Sequence, residues 1–100
     1  MGKQEAANVV FMVNLKSPVR PIRQVKVRLI NRKFCWAEDL MGRRHLVGAS
    51  AFFTMKNAQR AKYALLKKFV KDTWVKRWYP DAHQSMVDQI KKYEATGEMT

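Results

Sequence analysis

The chain has 100 residues, 47% of them hydrophobic, and carries 20 Lys or Arg against 8 Asp or Glu, a net charge of +12. That length fits a single domain, residues 1–100, whose folding buries roughly 60 to 65% of the unfolded surface. The apolar content excludes a disordered chain, and the longest apolar run, Val9 to Val13, excludes a membrane span of about 20 residues or a signal-peptide core.

The ends, residues 1–7 and 96–100, read as flexible. "NVVFMVNL" (8–15) is short and rich in β-formers, as in a strand covered on both faces. Pro18 and Pro21 break regular structure in "KSPVRP". From Ile22 the pattern alternates: Val25, Val27 and Leu29 point one way and Gln24, Lys26 and Arg28 the other, a half-buried strand with a basic outer face. "NRK" (31–33) reads as a turn. "FCWAED" (34–39) reads as a strand with Phe34 and Trp36 on one face, and "DLMGRR" as a hairpin connection that uses Gly42. "HLVGASAFF" (45–53) is expected to form the next strand.

Thr54 is the expected N-cap of a helix running from Met55 to about Val75. At 100° per residue Ala58, Ala61, Tyr63, Leu65, Leu66, Phe69, Val70 and Trp74 form an apolar arc, while Lys56, Arg60, Lys67, Lys68 and Lys71 lie opposite. Lys62 falls inside the apolar arc, its stem able to carry the amine outward. Lys76 and Arg77 would fall on the apolar side too, so the helix must end or kink near them. Pro80 and Asp81 start a short second helix to about Ala95, with Met86, Val87, Ile90 and Tyr93 inward and Gly97 as its stop. The expected class is α+β: an antiparallel sheet of three to four strands packed on one long amphipathic helix, plus a short C-terminal helix.

Residues 25–70 resemble the DNA-binding domains made of a three-stranded sheet and one helix, the AP2 type and the arm-binding domains of phage integrases. Trp36, "GRR" (42–44) and "FFTMKNAQRAKYAL" (52–65) carry the likeness. The resemblance implies a sheet inserted in a DNA major groove, with Arg28, Arg32, Arg43 and Arg44 in contact with the DNA.

Catalytic motifs and paired-Cys zinc spacing are missing from the sequence, so no catalytic residue, metal or cofactor is expected. Glu38, Asp39 and His45 read as turn-flanking charges rather than a metal site. One cysteine, Cys35, points to a reducing, cytoplasmic setting, the host cytoplasm if the protein is phage-encoded.

The charge is concentrated. Residues 16–77 hold seventeen Lys or Arg against three acids (Glu38, Asp39 and Asp72), a local net of +14, whereas 78–100 carry two Lys and four acids. Intrahelical pairing cannot account for so many cations, and their mutual repulsion favours a polyanionic partner. The expected function is therefore nucleic-acid binding, with DNA ahead of RNA. Phosphates would meet Lys56, Arg60, Lys67, Lys71, Lys76 and Arg77, and Trp78 and Tyr79 would be free to stack on bases. The alternative is a small phage-type accessory or inhibitor protein whose basic and aromatic surface docks on an acidic face of a nucleic-acid-processing enzyme. No membrane partner is expected.

Overall fold

The computed structural model describes residues 8–31 and 36–100. Expectations for 1–7, Arg32, Lys33, Phe34 and Cys35 lie outside the described residues.

The fold is α+β, with five strands rather than three or four. The strands are β1 (Asn8–Met12), β2 (Arg23–Asn31), β3 (Trp36–Asp39), β4 (Arg44–Leu46) and β5 (Ala51–Phe52). They form one antiparallel sheet in the order β4-β3-β2-β1-β5. The stretch expected as a single strand over 45–53 is split in two, and its halves lie at opposite edges of the sheet. Gly48 causes the split by taking φ +99°, a conformation that L side chains rarely adopt. Its N–H donates to the Ala51 carbonyl at 2.8 Å, and Val47 bridges to Ala51. The sheet thereby curls nearly closed, which leaves little free edge. Its concave face holds a core of Val10, Val27, Ala37 and Ala51, with Met12, Val25 and Val47 packed around it. Lys26 and Arg28 project from the other face, as the alternation in β2 requires.

Thr54 starts helix α1 (Met55–Val70), its hydroxyl accepting the Asn57 N–H at 3.1 Å. The helix stops five residues earlier than expected. Asp72 adopts an extended conformation and a new short helix follows, α2 (Thr73–Trp78). This break resolves the register conflict at Lys76 and Arg77, which are both exposed. It also removes Trp74 from the apolar arc and puts it at the surface. The last helix, α3 (Pro80–Thr96), has Pro at its start and is longer than α1 rather than short. Gly97 ends it at φ +76°, with its N–H on the Tyr93 carbonyl at 2.8 Å.

The helices pack mainly on one another, not across the sheet as expected; α1 meets β1 and β5 but makes more of its contact with α3. Leu66, Val75, Met86 and Met99 form a second core, bordered by Val19, Ile22, Tyr63, Phe69, Val70, Ile90 and Tyr93. Two cores side by side give an elongated molecule of 52 × 27 × 21 Å. Its radius of gyration is 15.3 Å, against about 13 Å for a compact chain of this length. Among the described residues no helix is long and apolar enough to cross a membrane.

The proline-containing segment between β1 and β2 runs along the seam of the two halves, and polar side chains of the helices hold it. Lys62 Nζ donates to the Arg20 carbonyl at 2.9 Å and Gln89 Nε2 to the Val19 carbonyl at 3.1 Å. The C-terminal tail, expected to be flexible, is held as well. Met99 is buried, its carbonyl accepts from Gln59 Nε2 at 2.9 Å, and the Thr100 carbonyl accepts the Ile22 N–H at 2.6 Å.

Candidate nucleic-acid interface

Helix α1 contains five cations and no acid. Its inward residues fix its roll: Ala58, Lys62 and Leu66 are buried at successive turns, which turns Lys56, Arg60, Lys67 and Lys68 to solvent. With Lys71 just past the end, the cation row from residue 56 to 71 extends over about 22 Å at the helical rise. Nothing in the helix offsets this charge. The first turn has no acid to complement the positive end of the helix dipole and instead carries Lys56. Among the described residues the ion pairs are Arg28–Glu38, His45–Asp39 and Lys92–Glu98, so none of them neutralises the α1 row.

Lys62 does not carry its amine outward. It is 0% exposed, and burial pushes its pKa below the usual lysine value. It belongs to the seam and not to the exposed cation row.

The structure separates the arginines that the family resemblance groups together. Arg28 and Arg44 lie in one cross-strand row on the outer face of the sheet, with Glu38 between them. Arg28 donates to Glu38 at 2.7 Å, so one acid is shared by this row. Arg43 stands apart in the β3–β4 turn, and Arg32 lies outside the described residues. Glu38 and Asp39 diverge to opposite faces. Asp39 accepts from His45 Nε2 at 2.9 Å, from the Met41 N–H at 2.9 Å and from the Arg43 N–H at 3.0 Å. The His45 hydrogen bond, followed by that from Arg43, holds its carboxyl below the ordinary aspartate pKa.

Arg43 instead joins a group that sequence reasoning did not single out as a site. A groove of ≈ 710 Å³ is lined by Lys16, Arg20, Arg23, Arg43 and His45 beside an apolar strip of Met12, Val13, Leu15 and Pro21. Its lining includes no acid. A signal was present: three of these cations fall within the eight residues 16–23. The prolines in that stretch marked it as a break between strands, and Arg43 comes to it only through the sheet.

The α2 corner places Lys76, Arg77, Trp78 and Tyr79 together at the surface, joined by Trp74. The three aromatic residues are 52% (Trp74), 67% (Trp78) and 59% (Tyr79) exposed. The Arg77 guanidinium lies 5.6 Å from the centre of the Trp78 ring, within cation–π range. Trp74 and Tyr79 meet edge to face, with ring centres 6.1 Å apart. Val75 is the buried anchor of this helix.

Comparison with protein-family models, curated proteins and solved structures finds no match.

Proposed function

We propose that the protein binds nucleic acid, DNA in the first instance, through phosphate contacts along the outer face of α1. The observation that carries this reading is the unanswered cation row: Lys56, Arg60, Lys67 and Lys71, without an acid in the helix and without an ion-pair partner among the described residues. Surface lysines kept only for solubility are usually interspersed with acids, which lowers self-repulsion. A phosphate backbone supplies the missing negative charge and releases its counterions on binding. The basic groove at Arg20, Arg23 and Arg43 and the outer-face pair Arg28 and Arg44 provide further contacts beyond the helix. Hydrogen bonding of Arg28 to Glu38 makes it a weaker contributor than the free cations of α1.

Fluorescence anisotropy of a labelled oligonucleotide, measured over a salt series, tests the reading. Affinity is expected to fall steeply as salt rises, and Lys56→Glu, Lys67→Glu and Lys71→Glu are each expected to reduce the log–log slope by about one. Binding that is absent at about 50 mM salt, where phosphate contacts are strong, overturns it.

A further inference from the structure

We propose that Trp74, Trp78 and Tyr79 form a stacking platform for unpaired nucleobases, so that the strand held by α1 is single-stranded at the α2 corner. This inference rests on the nucleic-acid reading above and adds what the phosphate contacts leave open, the state of the bases.

The platform exists because of the break at Lys71 and Asp72. A continuous helix would place Trp74 in the apolar arc, against the core. With the break, Val75 is left as the buried residue of α2 and each of the three aromatic side chains is more than half exposed. Trp74 and Trp78 are four residues apart within one helix and so lie on the same side of it. Two exposed tryptophans on a helix of six residues, with exposed Tyr79 directly after it, exceed what packing accounts for, since the core here is served by Val75 alone.

The arrangement of the rings suits bases better than a protein partner. An apolar docking face needs aliphatic and aromatic residues in one continuous stripe. Here Arg77 lies against Trp78, and no exposed aliphatic residue of α2 extends the aromatics. The edge-to-face contact of Trp74 with Tyr79 covers a face of one ring only, where a stacked pair would cover a face of each. Arg77 beside Trp78 shows that this ring accepts a planar cationic partner, and every nucleobase likewise offers a flat face. Lys67, Lys68 and Lys71 precede the corner on the chain and neutralise the phosphates that accompany stacked bases. Alternating cations and aromatics of this kind bind single strands with little sequence preference.

The test compares one single-stranded oligonucleotide with the duplex that it forms with its complement, using the full chain in a Trp36→Phe background. Binding is read by anisotropy of a labelled strand and by quenching of the remaining tryptophans. The expected result is tighter binding of the single strand, accompanied by quenching. Trp78→Ala, Trp74→Ala and Tyr79→Ala are each expected to weaken single-strand binding by about 5- to 100-fold, to leave duplex binding unchanged and to leave the far-ultraviolet dichroism intact. Trp78→Phe, which keeps a flat ring, is expected to recover most of the loss. Equal affinity for the two forms, or preference for duplex, with the aromatic variants unaffected, overturns the stacking inference while the phosphate reading stands. Failure to bind either form overturns both. Retention of an acidic protein by the wild type after nuclease treatment, lost in Trp78→Ala, would assign the platform to a protein and overturn its role with bases.

Discussion

The two halves of the molecule are both rich in cations but engage their acids differently. In the sheet half both described acids are engaged: Glu38 accepts from Arg28, and Asp39 accepts from His45 and caps the β3–β4 turn, while Lys16, Arg20, Arg23 and Arg43 line a groove that includes no acid. In the helical half the cations of α1 have no acidic partner among the described residues, and one amine, that of Lys62, is buried against the Arg20 carbonyl. The sheet closes on its own core and pairs Arg28 with Glu38 on its outer face. The helices use Lys62 and Gln89 to hold the chain that joins the halves and turn a row of cations to solvent. The acids of the helical half, Asp72, Asp81, Asp88, Glu94 and Glu98, all lie beyond α1, which leaves its cation row without acids in its own helix.

The largest test of this division lies in the two cores. Leu66→Ala is expected to destabilise the protein by about 2–5 kcal/mol, because the residue is fully buried among the helices. Val10→Ala in the sheet core is expected to cost about 2 kcal/mol, since it removes less buried hydrocarbon. Hydrogen exchange decides how separate the halves are. Leu66→Ala should lower protection more in α1 and α3 than in β1 and β2, and Val10→Ala the reverse. Equal loss throughout in either variant would mean that the two cores act as one.

A smaller effect, with a definite sign, comes from Lys62 at the seam. Its folded-state pKa is lowered from 10.5 by burial, so between that lowered value and 10.5 the unfolded chain holds more protons than the folded one. Stability therefore rises with pH across that window. Tyr63 acts in the other direction: its hydroxyl donates to Glu94, which together with burial raises its pKa above 10.0, and its contribution is present below pH 10.0 and lost as pH climbs through the raised value. Comparing the wild type with Lys62→Met by denaturant unfolding isolates the lysine. The rise should be present in the wild type and missing from the Met variant. Parallel curves would mean that the amine is hydrated in solution.

Much of the helical half is legible in the sequence because a 3.6-residue period is a local property. Thr54 as cap, the cation row, Pro80 and Gly97 all announce themselves within a few residues. Even the break in α1 is signalled by the misplacement of Lys76 and Arg77, although its position is not: Asp72 becomes extended only in company with the packing of Val75, which no local pattern expresses. The sheet is harder to read. Gly48 weakens a strand in sequence, but that β4 and β5 go to opposite edges depends on closure of the whole sheet. The basic groove is hidden for the same reason, since Arg43 joins Arg20 and Arg23 through strand pairing. The exposure of Trp74 is likewise a tertiary fact, because helical periodicity assigns it to the core until the helix is broken.

The smallest expected effect concerns the tie between the halves at the C-terminus. Gly97 turns the chain out of α3 at φ +76°, so that Met99 can enter the helical core and the Thr100 carbonyl can accept the Ile22 N–H just before β2. A Cβ added at Gly97 would have nothing within 4 Å, so Ala costs only the backbone strain of the left-handed region. That is about 1 kcal/mol. Asn tolerates this conformation better, and Gly97→Asn should recover part of the loss in thermal unfolding. If Ala and Asn cost the same, backbone strain is not the cause. If Gly97→Ala also speeds exchange of the Ile22 amide while α3 stays protected, the tail is the link by which the helical half steadies the sheet. If exchange at Ile22 is unchanged, the link lies instead in the side chains of Lys62 and Gln89, which grip the same segment from the other side.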